Sequence, residues 1–314
     1  MKAAGTPGRR CRIGAVRNGT HVDAERYPCG ESRLSRSRLV RRGRSWYDLL
    51  MKREPVSPLL FALKRRGFSV LRSGPSRSLP PFLPKDAAHR EAYYRALHHY
   101  SFRLFLRDVL RRKPVFRIED VSRYLEPQAA SRYAAFLVKF GLLLPLDEGF
   151  SVVHDSQPSG FGSTLEWYTA ELLRRELGAE TLYAVRFGKS GTTGDFDVLA
   201  GFDGVLMYVE TKSSPPGRIE RPAIRGFLDR VEELRPELAV FLNDTRLRMS
   251  DKIVPYLEQE LAVRGAGERR FSRIEGERFM LGHRLFVMNA YPSLLSSLRE
   301  SIRLYFRGRG SLFE

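Results

Sequence analysis

Cysteine is nearly absent from this 314-residue chain, with Cys11 and Cys29 the only two. Two thiols this few and this far apart supply neither a zinc cluster nor a disulfide framework. Long apolar runs are missing as well, and nothing approaches the roughly 20 residues that cross a bilayer. The first residues are charged with no apolar stretch behind them, so a secretory signal is not expected and a cytoplasmic location is. No internal repeat is visible. Acidic residues are scarce at the front: residues 1–84 hold 5 Asp+Glu against 19 Lys+Arg, a net +14. Residues 85–153 hold 8 against 12, a net +4, and the remainder 23 against 23. The overall +18 therefore belongs mostly to the N-terminal arm.

A basic arm attracts polyanions such as nucleic acid. Residues 1–44, rich in Arg, Gly and Ser and without apolar periodicity, read first as a solvated, largely disordered tail and second as such an arm. Two short helical patterns follow, around Trp46-Tyr47-Leu49-Leu50 and Leu59-Leu60-Leu63, separated by Pro55 and Pro58. Arg72 to Pro84 is a linker pattern of Ser, Arg and Pro. Residues 1–84 are therefore expected to be arm and linker.

Residues 87–153 carry helix, helix, helix and hairpin signals. The first helix is expected over about 87–112 and ends at Pro114. The second starts near Ile118, and Pro127 opens the third. On the third helix Tyr133, Phe136, Leu137 and Phe140 form an apolar stripe, and Gly141 ends it. Leu142–Leu146 and Phe150–Val153 then flank a turn. This order resembles a winged helix-turn-helix domain over residues 85–155. The resemblance implies that the third helix faces nucleic acid, with Gln128, Ser131, Arg132 and Lys139 as contacts. The alternative is a small helical domain that offers a partner surface.

From Gly162 the pattern becomes helix, three strands, helix, strand. Ser163 or Thr164 can cap a helix to about Leu177. Strands are expected over Leu182–Phe187, Phe196–Phe202 and Val205–Thr211, with Asp203-Gly204 as a two-residue hairpin turn. A helix near 221–235, a strand at Leu238–Leu242, a helix near 250–263, a strand near Arg284–Met288 and a final helix near 293–306 follow. Glu210 and Lys212 share a strand face by alternation, as do Asp195 and Asp197, and the hairpin lets Asp197 approach Glu210. Carboxylates on adjacent strands with a lysine two residues on make a compact site for a magnesium-like cation.

The stretch Gly194-Asp195-Phe196-Asp197-Val198-Leu199 through Tyr208-Val209-Glu210-Thr211-Lys212 resembles the PD-(D/E)XK nuclease superfamily. The proline of that signature is absent, and Phe196 stands before the acid. The resemblance implies an α/β, restriction-endonuclease-like αβββαβ core over residues 156–314 and metal-dependent phosphodiester hydrolysis. It implies Asp197, Glu210, Lys212 and Glu166 as catalytic residues. Asp197, Glu210 and Glu166 would hold Mg²⁺ or Mn²⁺, with Asp195 as the rival ligand to Asp197. It also implies nucleic acid as partner, DNA favoured, no membrane, and pairing as a homodimer to cut both strands. Lys189 and Thr192 in the long turn, and Arg225 on the helix after the site, are further candidate contacts. Two other readings stay open: a non-catalytic DNA-binding regulator that keeps the fold, and an RNA-directed defence nuclease. Gly188-Lys189-Ser190 is no phosphate loop, because Tyr183 stands where its first glycine belongs. Arg221 also has a plain reading as helix-surface charge, Asn243-Asp244-Thr245 as a turn, and His154 as linker.

Overall fold

The alternating apolar stretches after Gly178 become neighbouring strands, because each can bury one row of side chains on either face of a single sheet. The structure, a computed structural model, describes residues 57–74, 82–153, 160–188, 191–192, 194–265, 267 and 269–309. Cys11, Cys29, His154 and Lys189 lie outside the described residues, as does the arm before Ser57. We label the elements α1 (Pro58–Arg65), β1 (Val70–Arg72), α2 (Ala87–Leu97), α3 (Tyr100–Arg112) and β2 (Val115–Phe116). A 3-10 turn spans Ile118–Val121, followed by α4 (Pro127–Lys139), β3 (Leu143–Leu146), β4 (Gly149–Val152) and α5 (Gly162–Leu177). Then come β5 (Glu180–Phe187), β6 (Phe196–Phe202), β7 (Val205–Lys212), α6 (Arg221–Leu234), β8 (Leu238–Asn243) and α7 (Ile253–Val263). The elements close with β9 (Ser272–Glu275), β10 (Arg278–Leu281), β11 (Leu285–Met288) and α8 (Leu294–Arg307).

Eight strands form one mixed sheet in the order β1-β5-β6-β7-β8-β11-β10-β9. β7, β8 and β11 run parallel, while β5, β6 and β7 are antiparallel. Apolar rows fill both faces. Val198, Met207, Val209 and Val240 pack toward α5 and α8, whereas Leu206, Tyr208, Ala239 and Phe241 pack toward α1, α6 and α7. Among the described residues no helix is long and apolar enough to cross a membrane.

Residues 57–74 hold a helix where Leu59-Leu60-Leu63 pointed to one, followed by a short strand. Ser57 caps α1 by accepting from the Leu60 N–H at 3.0 Å, and Pro58 at the first helical position costs no hydrogen bond. Glu180 of β5 accepts the Leu59 N–H at 2.8 Å. Leu59 and Leu63 are buried, and β1 pairs with β5 as the sheet edge. The apolar spacing of α1 was legible, but its docking partner lies 120 residues away in the sequence. The short hairpin β9–β10 was not expected, because its polar sequence hid its strand character.

In residues 87–152, a three-stranded sheet of order β2-β4-β3 follows the helices. The expected first helix is two, broken at His98-His99. The break has a tertiary cause. Arg103 of α3 turns back and donates to the Leu97 carbonyl at 2.6 Å, supplying a partner at the end of α2. Its other nitrogens bond Asp244, just past β8, at 2.8 to 3.1 Å. Both side chains are almost fully buried. On α4 the centre of the buried face is Ala130, Ala134 and Leu137, with Tyr133 and Phe136 at its flank. Phe102 meets Tyr133 and Phe136 with ring centroids 5.0 and 5.7 Å apart. The core against α5 runs without a break from Phe102 and Leu137 to Val209. Residues 55–314 form one compact unit.

Two predictions follow from this packing. Leu63→Ala should lower unfolding free energy by about 2–5 kcal/mol, because it removes a fully buried side chain; a change below about 0.5 kcal/mol in denaturant titration, typical of a surface site, would show α1 undocked. Arg103→Ala should cost about 3–5 kcal/mol by stranding the buried Asp244 carboxylate, and pairing Arg103→Met with Asp244→Leu should recover most of it. A double variant no more stable than Arg103→Ala in the same titration would contradict that electrostatic account.

Candidate active site

β6 and β7 meet through the Asp203-Gly204 turn, with Val198 opposite Val209. One step beyond that pair lies Asp197. Its Oδ2 accepts the Thr211 N–H at 2.8 Å and the Thr211 hydroxyl at 3.1 Å. Glu210 lies in phase with Tyr208 and reaches toward α6. Its carboxylate receives Lys212 Nζ at 2.6 Å, Arg230 of α6 at 2.8 and 2.9 Å, and the Tyr208 hydroxyl. Arg230 Nε also donates to the Tyr208 oxygen at 2.7 Å. Asp197 therefore meets the residue between Glu210 and Lys212, and does not meet Glu210 directly.

The local backbone explains this arrangement. Ala184 has φ of 48°, in the left-handed region that side-chain-bearing residues seldom adopt. The register runs Val185 to Phe196 and Tyr183 to Val198, which leaves Ala184 across from Asp197. Phe196 then packs in the α6-side cluster and Val198 in the α5-side cluster, although they are only two residues apart. The alternation that put Asp195 and Asp197 on one face is interrupted here. Asp195 instead accepts from Arg72 at 2.5 Å and Arg186 at 2.7 Å, two cations that engage both its oxygens.

Burial pushes the Asp197 carboxyl up to about 7, and the Glu210 charge adds to it. Burial likewise pushes Glu166, on α5, up to about 8, with the charges of Asp197, Glu210 and Asp195 contributing. Burial would raise Glu210 too, but Lys212 and Arg230 outweigh it and hold that carboxyl below its usual range. Lys212 is held above the usual lysine range: burial works against its charge, and Glu210 and Asp197 more than offset this. The site thus has two halves, a proton-binding pair of acids and an ionised Glu210 clamped between cations.

The other candidates fall elsewhere. Arg225 is exposed, with Nε 3.6 Å from Glu260 of α7, and Arg221 has the same neighbour. The helix after the site does send a base into it, but that base is Arg230. No local pattern marked it: even at the mid-helix Gly226 a Cβ would meet the Arg230 guanidinium only at an ordinary 3.5 Å. Thr192 donates to Glu233 at 2.6 Å, tying the long turn to α6. Gln128, Ser131, Arg132 and Lys139 are exposed on α4, and the Ser131 hydroxyl is spent on the Pro127 carbonyl at 2.9 Å. Asp244 is the partner of Arg103, so it belongs to the scaffold.

Asp197 and Glu166 are oxygen donors whose proton affinity is raised by burial and by neighbouring carboxylates, a strain that a hard dication relieves. Glu210, facing two cations, is not a free ligand as placed. Among the described residues no three His, Cys, Asp or Glu side chains are grouped to hold an ion. Asp197 and Glu166 are the carboxylates that could hold such a cation.

No protein-family model and no curated protein matches the chain in sequence. Can2 from Sulfobacillus thermosulfidooxidans, solved in complex with cyclic tetra-adenylate, aligns with a TM-score of 0.46 at 12% identity, over 79% of this chain and 60% of that one. Protein VC1899 from Vibrio cholerae aligns with a TM-score of 0.39 at 13% identity, over 69% of this chain and 57% of that one. The chain therefore spans less than two thirds of the length of either.

The raised acids set a pH dependence. Both carboxyls bind protons more tightly in the folded chain, so their contribution to stability is full below the ordinary carboxyl range, at about pH 4. It is lost as pH rises through about 7 and about 8. Without divalent cations, the unfolding midpoint should fall as pH rises from about 4 to about 8, and Asp197→Asn should flatten that fall. Identical profiles for the two proteins in a chelator would contradict the assignment.

Proposed function

We propose that the chain is a metal-dependent phosphodiesterase of the PD-(D/E)XK kind, acting on nucleic acid with DNA favoured. The observation that supports it most is the meeting, at one end of β6 and β7, of an ionised Glu210–Lys212 pair with two acids whose proton affinity lies near neutrality. A divalent cation held by Asp197 and Glu166 would supply Lewis-acid polarisation of the phosphate and a more acidic water. Lys212 stays protonated, so its part is to donate to a phosphate oxygen and stabilise charge in the transition state. Glu210, Arg230 and Tyr208 fix the Lys212 ammonium in place. The succession α5, β5 to β7, α6, β8 supports the restriction-endonuclease-like reading, and α3, the 3-10 turn, α4 and β3–β4 support the winged-helix one. Arg132 and Lys139 are then contacts to the nucleic-acid backbone.

Supercoiled plasmid, single-stranded DNA and RNA should be incubated with Mg²⁺ or Mn²⁺. We expect cleavage that a chelator abolishes and that Lys212→Ala and Asp197→Asn each reduce by about 100-fold or more. Cleavage that persists in both variants would overturn the reading. Tight DNA binding with no cutting of any substrate would favour the regulator that keeps the fold.

A further inference from the structure

Beside the end of β7 lies a second, separate feature, a cleft of about 780 Å³ between α3, the segment after the 3-10 turn, and the loops after β7 and β8. Its walls include Tyr100, Tyr124, Arg107, Arg123, Arg218 and Arg246. Arg107 donates to the Ser213 carbonyl at 2.5 Å, so the residue next to Lys212 is itself part of the wall. The Arg246 guanidinium lies 4.9 Å from the centre of the Tyr100 ring, and that of Arg123 lies 5.2 Å from the Tyr124 ring. Tyr124 is 57% exposed, unusual for a large aromatic that no core demands. Asp108 is the one acid in the wall, and it is paired with Arg111. Arg123, Arg218 and Arg246 form no ion pair among the described residues, whereas Arg66, Arg72, Arg103, Arg186, Arg230 and Arg264 all do.

Arginines without counter-ions and two tyrosine faces in one cleft are the elements that bind unpaired nucleic acid: cations follow the phosphates and rings stack on bases. A duplex keeps its bases stacked and offers no face to Tyr124, and the cleft volume is that of a pocket for a small ligand, not of a groove wide enough for a double helix. We infer that this cleft binds a single-stranded nucleic-acid segment, with a base stacked on Tyr124 and phosphates on Arg123, Arg218 and Arg246. Ser213 then leads the strand to Lys212, a direction that rests on the nuclease reading, while binding itself does not.

The test is fluorescence anisotropy with a labelled oligonucleotide of about 12 residues, in the full chain carrying Lys212→Ala so that nothing is cut. Tyr124→Ala and Arg123→Glu/Arg246→Glu should each weaken binding about tenfold, Tyr124→Phe should restore it, and Arg299→Glu on α8 should leave it unchanged within about twofold. An abasic strand of the same length, or the duplex, should bind about tenfold more weakly than the intact single strand. Cleft variants that bind normally, an abasic strand or duplex bound as tightly, or full competition by polyglutamate would each overturn the assignment; the last would mark a site for acidic protein. Failure of the nuclease reading shows separately, as an uncut plasmid and strand in wild type with Mg²⁺ while the cleft variants still lose binding.

Discussion

The Arg103–Asp244 pair is the joint on which the described fold turns. A guanidinium buried this deeply must satisfy its donors inside the protein or lose several kcal/mol of hydration with no return. It does so by joining three things: the end of α2 through the Leu97 carbonyl, its own helix α3, and the residue that follows β8. That fixes the α2–α3 break and brings α3 against the sheet end where β7 finishes. Arg107, one turn further along α3, extends the same joint to Ser213 and to the Asp244 carbonyl. Together with the apolar core shared by α3 and α5, this joint sets the helical segment beside Lys212 and forms one wall of the tyrosine- and arginine-lined cleft.

Within the site, electrostatics divides labour among the acids. Glu210, which reaches α6, is compensated twice over and stays charged, so it can anchor Lys212 but has little capacity left for another cation. Asp197 and Glu166 are under-compensated, and burial raises their proton affinity. The first half needs nothing further, and the second gains from added positive charge. Neither a lone ion pair nor a lone acid pair would combine these properties. The interruption at Ala184 creates the division by turning one acid away from its strand-mate Asp195.

Much of this was legible in the residues. The order of helices and strands after Gly162 followed from apolar periodicity, and Asp197, Glu210 and Lys212 stood out by type and spacing. What stayed hidden depends on contacts between distant segments. Arg72, 123 residues earlier, engages Asp195, and a single positive-φ residue on the neighbouring strand lies across from Asp197. Arg230 and Arg225 look alike in sequence, because a helical repeat gives a residue's angle around the axis but not how far the neighbouring strand lies from it. The α2–α3 break carries no glycine or proline, and only a side chain from the next helix makes it favourable. Leu59 and Leu63 showed helical spacing, yet nothing local told that their face would find β5 and β6.

The ends of the large sheet carry a consequence of their own. A long sheet with open margins is a template on which other chains can add strand after strand, the route to fibrous aggregates. Here both margins are poor templates. β1 has three residues and ends in Arg72, and β9 has four, Ser-Arg-Ile-Glu, three of them exposed. Copies of this chain that collide edge to edge gain few backbone hydrogen bonds and must bring charges together. The broad sheet that carries the acids therefore offers, at its described edges, little for another copy to pair with.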